Sequence, residues 1–169
     1  MKVPPDPPER NGPSHASTTR RERCMTIRPA DAADLPAIER IVRDAYSKYI
    51  VRIGRPPGPM LDDYAAHVRA HAVWITGTPI AGLIVLLGED DHLLLDNIAV
   101  DPARQGEGVG RALMAFAEAE ARRRGCSELR LYTHATMTEN IQLYSRNGWV
   151  ETGRGTQDGF ARVFFRKAV

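Results

Sequence analysis

Hydrophobic residues first recur at helical spacing between residues 34 and 49. Ile38 and Val42 lie one turn apart on the face of a helix predicted over residues 34–49. Residues 52–59 hold three prolines and two glycines, which predicts no regular element. A short second helix is predicted over residues 61–71.

The pattern then changes to one typical of strands. Residues 72–76, 80–87 and 92–100 are three apolar runs, separated by turn-forming residues at 77–79 and 89–91. This spacing predicts an antiparallel meander. Its middle run is apolar at almost every position, which favours a strand covered on both faces of the sheet.

Helices and strands alternate in the second half of the chain. A glycine-rich bend over residues 104–110 is followed by an amphipathic helix that continues to about residue 124. A strand, a short helix and two strands are predicted after it, at residues 129–133, 139–147, 149–153 and 160–166, with a loop at 155–159 between the last two. The order β-α-α-β-β-β-α-β-α-β-β indicates one α/β domain with a mixed sheet.

Residues 1–24 differ in composition from the rest of the chain. They hold five of the twelve prolines and almost no large apolar side chain, so we expect a disordered tail, with the folded domain at residues 25–169. Met25 looks like a protein start, and one interpretation is that residues 1–24 are an upstream extension of the reading frame.

Charge and cysteine content narrow the range of partners. The net charge is +2, and the tail accounts for all of it with five basic and three acidic side chains, so a dedicated nucleic-acid binder is not expected. No apolar run is long enough to span a membrane. The two cysteines, Cys24 and Cys126, form neither a disulfide framework nor a metal site, which favours a cytoplasmic location.

The bend at residues 104–110 carries the strongest indication of chemistry. A strand, a turn with three glycines and a helix start would direct several main-chain N–H groups and the helix dipole at one point, which suits a phosphate. Arg104 and Arg111 could add charge-assisted bonds. The glycine spacing fits neither a dinucleotide fingerprint nor a nucleotide-triphosphate loop. It fits Q-x-x-G-x-G, with Gln105, Gly108 and Gly110. The alternative is a glycine-rich turn without a ligand.

This pattern resembles the acyl-coenzyme A loop of the GCN5-related N-acetyltransferases, the GNAT family. A second block, Asn140, Tyr144 and Gly148-Trp149, resembles the family's later motif, with Trp in place of the commoner Phe. The resemblance covers residues 25–169 and implies a GNAT-like fold, a mixed and mostly antiparallel sheet flanked by helices. It implies acetyl-CoA as the cosubstrate. The coenzyme-binding residues it implies are Ile98, Ala99, Val100, Arg104, Gln105, Gly106, Glu107, Gly108, Val109, Gly110, Arg111, Asn140, Tyr144 and Arg146.

Acetyl transfer to an amine requires a base, because most amines are protonated at pH 7. Within the resemblance, Tyr144 is the candidate acid toward the leaving thiolate; the alternative is a helical tyrosine packed beside Trp149. Asp96 is one candidate base, predicted to point to the opposite face from Asn97, although a plain surface carboxylate is an equal alternative. His134 is another candidate base, and a structural histidine is the alternative.

The resemblance implies an acceptor site between the first two helices and the loop that joins the last two strands. The residues that the resemblance assigns to acceptor binding are Tyr49, Arg52, Arg55, Tyr64, Asn97 and Asp158. The two arginines could grip a carboxylate, or Asp158 could bind a cation; arginines on a solvated loop are the alternative.

The sequence therefore predicts transfer of an acetyl group to a small-molecule or amino-acid-like amine, by direct attack in a ternary complex. No metal is expected. The alternatives are a protein lysine or N-terminal acetyltransferase, a non-catalytic acyl-CoA sensor, and a homodimer in which the strand at 160–165 pairs across subunits.

Overall fold

A computed structural model describes residues 25–169, which form one open seven-stranded sheet. Its strands are β1 (Ile27–Pro29), β2 (Val73–Thr76), β3 (Gly82–Gly88), β4 (Leu93–Val100), β5 (Glu128–His134), β6 (Val150–Gln157) and β7 (Phe160–Ala168). They are arranged in the order β1-β2-β3-β4-β5-β7-β6, and only the β4–β5 pair is parallel. The predictions for residues 1–24 lie outside the described residues.

Helices cover both faces of this sheet. They are α1 (Leu35–Tyr46), α2 (Ile50–Ile53), α3 (Tyr64–Arg69), α4 (Val109–Arg123) and α5 (Thr138–Arg146). One apolar cluster joins α4 and α5 to the sheet, and a second joins α1 and α3 to the opposite face. Alternate residues of β3 enter the two clusters, so this strand is buried on both sides, as its sequence predicts. The predicted fold class is confirmed. No helix within residues 25–169 has the length and apolar character needed to cross a bilayer.

The segment between α1 and α3 is more regular than its sequence predicts. The helix predicted over residues 34–49 ends at Tyr46, and a 3-10 turn, Ser47–Tyr49, leads into the short helix α2. The prediction of no regular element over residues 52–59 is wrong at its start, because every proline and glycine of that segment follows Ile53. A second 3-10 turn, Gly58–Met60, precedes α3.

One prediction about the C-terminal strands is wrong. The loop predicted at residues 155–159 is mostly strand, because β6 continues to Gln157 and Asp158 and Gly159 alone make the turn. β6 is the exposed edge of the sheet, where glycines and polar residues cost little packing. The homodimer in which the strand at 160–165 pairs across subunits stays a prediction; within one chain, β7 pairs with β5 on one side and with β6 on the other.

Candidate active site

A β-bulge in β4 places the polar residues of the candidate site. Leu95 pairs with Leu86 of β3 and Asn97 with Val85, so Asp96 is an extra residue without its own partner. The bulge reverses the alternation of side chains, since Leu95 packs in the α4 cluster whereas Asn97 contacts the α1 side.

The bulge also overturns the prediction that Asp96 and Asn97 point to opposite faces. Asn97 accepts a hydrogen bond from Tyr46 at 2.6 Å and donates one to Tyr64 at 2.8 Å, both on the α1–α3 side. The Asp96 carboxylate lies on that side too. One of its oxygens is within 4.8 Å of a carboxylate oxygen of Asp62 and of a ring nitrogen of His67. The sheet therefore presents adjacent carboxylate and amide groups to one side.

Asp62, His67 and Asp96 together form a polar wall at the start of α3. Asp62 precedes α3, and His67 lies on that helix. Removal from water raises the pKa of the Asp62 carboxyl, and the nearby Asp96 charge raises it further. Tyr132 of β5 donates a hydrogen bond to Asp96 at 2.7 Å.

The strands β4 and β5 separate immediately after this point. They share three residue pairs, the last of which joins Leu95 to Leu131. On the other side of β4, the Asp101 N–H donates to the Ala81 carbonyl at 2.8 Å. Because bonded and non-bonded positions alternate in an antiparallel pair, the main-chain groups of Ile98 and Val100 point away from β3 and into the gap.

This gap has open hydrogen-bonding capacity along one wall. Tyr46 donates to the Ile98 carbonyl at 3.2 Å, and no strand of residues 25–169 pairs with the N–H groups of Ile98 and Val100 there. An extended ligand with amide groups could therefore bond to β4 as an added strand would. The coenzyme-binding role that the resemblance implied for Ile98 and Val100 stays a prediction.

The glycine-rich bend lies at the end of that gap. Gly106 and Gly108 have φ of 81° and 85°, and a Cβ built on either one would meet no atom of residues 25–169 within 4 Å. Gly108 is the N-cap of α4, and no side chain of residues 25–169 caps the helix. The first turn of α4 consequently directs uncapped N–H groups and the positive end of its dipole into open space. The site fits a phosphate or diphosphate.

Two arginines flank the bend in different states. Arg104 forms an ion pair with Glu107 at 2.8 Å, so its guanidinium is paired with a carboxylate of the same bend. Arg111, in the first turn of α4, is exposed and forms no ion pair with any of residues 25–169. Asp101, just before the bend, accepts a hydrogen bond from Arg40 of α1 at 2.8 Å, which ties the bend to that helix.

Tyr144 and Asn140 of α5 share the face that lines a cavity of about 290 Å³ beside the gap. The Tyr144 ring packs against Trp149 and Phe165 at centroid distances of 6.0 and 5.7 Å. Its hydroxyl forms no hydrogen bond with residues 25–169, and burial raises the pKa of Tyr144, so the hydroxyl keeps its proton. Arg146, on the same helix, is exposed and lies outside the cavity lining.

His134, the last residue of β5, also lines the cavity. Its Nδ1 accepts a hydrogen bond from the Thr136 main-chain N–H at 3.2 Å, which assigns the ring proton to Nε2. Burial lowers the pKa of His134, and the charges of Arg162 and Arg55 lower it further. In the neutral ring, Nε2–H can donate a hydrogen bond, whereas the lone pair of Nδ1, which a base would need, is already occupied by Thr136. This favours Asp96 over His134 as the base.

Two of the six predicted acceptor residues line the cavity. Asp158 lines the cavity. Asn97 also lines it, but both polar atoms of its side chain bond to Tyr46 and Tyr64, and Tyr64 in turn donates to the Pro59 carbonyl at 2.8 Å. Through Tyr64, these bonds hold the loop before α3 against β4.

The two arginines predicted for acceptor binding are both engaged within the chain. Arg52 forms an ion pair with Glu139 of α5 at 2.7 Å, and Tyr49 is buried beneath it. Arg55 stacks on the Phe160 ring at 3.7 Å and donates to the Gly159 carbonyl. Arg55 thus joins the loop after α2 to the β6–β7 turn across the acceptor side of the cavity.

Sequence reasoning missed Arg162, Asp62 and Tyr132, all of which line the cavity. Arg162 alternates with Phe160 and Phe164 in the predicted last strand, and this alternation indicates an inward-facing arginine. No comparable pattern indicated Asp62, because its position depends on how the loop before α3 folds.

Known proteins share this architecture. The ribosomal-protein-S18-alanine N-acetyltransferase from Escherichia coli has a TM-score of 0.68 and 25% identity, covering 86% of this chain and 94% of that one. The PaiA N-acetyltransferase from Thermoplasma acidophilum, solved in complex with coenzyme A, has a TM-score of 0.68 and 17% identity, covering 86% and 99%.

The sequence comparisons agree with this fold. A mycothiol acetyltransferase from Cellulomonas flavigena is 44% identical over 55 residues, which are 32% of this chain and only 16% of that protein. A model of the acetyltransferase (GNAT) family matches residues 35–149, from the start of α1 to the end of the second sequence block. The chain therefore belongs to the GNAT acetyltransferase family.

Proposed function

We propose that this protein transfers the acetyl group of acetyl-CoA to the amine of a small, amino-acid-like acceptor, which attacks directly in a ternary complex. The observation that carries the proposal is that the gap between β4 and β5 leads from one cavity, which Ile98 and Tyr144 line, toward the uncapped N-terminus of α4 that follows β4 in the chain. When bound, the cosubstrate supplies an activated acetyl thioester.

The main chain is suited to hold this cosubstrate. The N–H groups at the start of α4 bind the diphosphate, and the main-chain groups of Ile98 and Val100 bind the amides of the pantetheine arm. The thioester end then lies deep in the gap, where the Asp96 bulge and Tyr144 face the same cavity.

Asp96 is the group that receives the proton of the acceptor amine. Tyr132 donates to Oδ1 of Asp96, which fixes the carboxylate while Oδ2 receives no hydrogen bond from residues 25–169. A positioned carboxylate can accept the proton that an ammonium group must lose before it attacks. Tyr144, which keeps its proton, donates a hydrogen bond to the departing sulfur.

Arg55 favours a small acceptor over a protein segment. Its contacts with Gly159 and Phe160 bridge the two loops between which an extended peptide would have to lie. A cavity of about 290 Å³ accommodates a molecule the size of an amino acid.

The test is coenzyme A release from acetyl-CoA in the presence of a panel of amines, with the wild type and Tyr144→Phe. The substitution keeps the ring that packs on Trp149 and removes only the hydroxyl. We expect kcat to fall about 10- to 100-fold with an unchanged affinity for coenzyme A, because the proton is needed only in the transition state. Equal kcat values would exclude Tyr144 as the acid, and absence of coenzyme A binding would refute the proposed function.

A further inference from the structure

Arg162 of β7 is a buried cation that forms no ion pair with any of residues 25–169. It lies opposite His134 of β5 and Gly155 of β6, and only 8% of its surface is exposed. No carboxylate of residues 25–169 is within ion-pair distance of its guanidinium, and its Nε has no hydrogen-bond partner. Burial of a charge in this state is costly unless a ligand compensates it.

The guanidinium is held in place by aromatic rings. It lies over the Tyr132 ring at 4.4 Å and near the Phe160 ring at 4.9 Å. A Cβ built on Gly58 would be 3.3 Å from its Nη2, so the loop before α3 approaches it without a side chain between. Stacking of this kind orients the planar donors while leaving them free to bind a planar anion.

The cavity therefore has a negative pole and a positive pole, and Tyr132 contacts both. The Tyr132 ring lies under Arg162, and the Tyr132 hydroxyl bonds to Asp96 at 2.7 Å. The carboxylates of Asp96 and Asp62 form the negative pole, and Arg162 forms the positive one. The positive charge acts within the cavity, since it contributes to the lowered pKa of His134.

We propose that Arg162 binds a carboxylate of the acceptor, so that the acceptor is a zwitterion whose amine faces Asp96. This inference rests on the proposed function and specifies its substrate class. It assigns to Arg162 the grip on an anion that Arg52 and Arg55 cannot provide, because they are engaged with Glu139 and with the β6–β7 turn.

The experiment compares matched acceptors, each amino acid with its own carboxamide, for the wild type, Arg162→Gln and Arg166→Gln. Arg166 lies on the same strand but is exposed and faces Glu128 at 3.7 Å, so it is a matched control. Calorimetric binding of coenzyme A is measured for each variant, which tests the proposed function separately because Arg162 lies outside the bend at residues 105–110.

We expect the wild type to prefer the acid by about 10- to 100-fold in kcat/KM, the range of a hydrogen bond between charged groups. Arg162→Gln should abolish this preference, and Arg166→Gln should keep it. The proposal is overturned if the wild type does not distinguish acid from amide, if Arg162→Gln keeps the preference, or if a protein that binds coenzyme A acetylates neither. The comparison of acid and amide with the wild type tests the proposal even if Arg162→Gln does not fold.

Discussion

Leu95 and Asn97 are two residues apart in one strand, yet their side chains lie on opposite faces of the sheet. In a regular strand they would share a face. The bulge at Asp96 makes this reversal, and with it a carboxylate and an amide reach the cavity in the middle of an otherwise apolar strand. One extra residue in the pairing of β4 with β3 therefore creates the polar part of the site.

Gly108→Leu is expected to weaken coenzyme A binding by about 100-fold or more, measured by calorimetry. A side chain at this position would occupy the open space in front of the α4 N–H groups. Gly125→Leu is the matched control, since Gly125 follows the other end of α4, also has a positive φ of 77°, and also has no atom within 4 Å of a built Cβ. Equal affinities for the two variants would contradict the phosphate site.

Asp96→Asn is expected to lower kcat/KM by about 100-fold at pH 7, because no carboxylate then receives the proton of the amine. In this variant kcat/KM should continue to rise with pH toward the pKa of the acceptor amine, since only the fraction that is already neutral can attack. Asp90→Asn, in an exposed turn, should match the wild type. A pH profile of Asp96→Asn parallel to that of the wild type would exclude Asp96 as the base.

Gly82→Ala is expected to destabilise the fold by about 1–3 kcal/mol in urea denaturation. Its Cβ would lie 2.8 Å from Cγ1 of Val109 and 2.9 Å from the Ala99 carbonyl, where α4 packs closely on the sheet. Gly88→Ala on the same strand is the control, because its Cβ would have only an ordinary contact of 3.6 Å with Arg124. Similar stabilities for the two variants would show that α4 can move away from the sheet at little cost.

Glu120 is expected to make the fold sensitive to acid. Hydrogen bonds from Arg123, with a smaller contribution from Arg124, lower the pKa of this buried carboxyl from 4.5 to about 2. A lowered folded-state pKa adds stability above the unfolded pKa, and this stability is lost as pH falls from about 4.5 toward 2. The exposed arginines reduce the effect to about 2 kcal/mol.

Denaturation at pH 7 and pH 3 with Glu120→Gln measures this contribution. The variant should be less stable than the wild type at pH 7, and the difference should shrink at pH 3. A difference that is the same at both pH values would contradict the assignment.

The sequence predicts the elements of the coenzyme side well and those of the acceptor side poorly. The bend before α4 and the Asn140–Tyr144 face depend on local turn chemistry and helical spacing, which short stretches of sequence determine. The orientation of Asp96 depends on how β4 pairs with β3. Arg52 and Arg55 are bound by Glu139 and by the Gly159 carbonyl, which are far away in the chain. Such contacts form only when the tertiary structure does.

Among residues 25–169, three residue pairs between β4 and β5 are the sheet's only connection between one lobe, β1 to β4, and the other, β5 to β7. Hydrogen exchange of main-chain amides along this boundary should therefore report how firmly the lobes are joined. A ligand lodged between β4 and β5 would extend that short connection, so that it would slow exchange on both lobes at once and make their unfolding more cooperative.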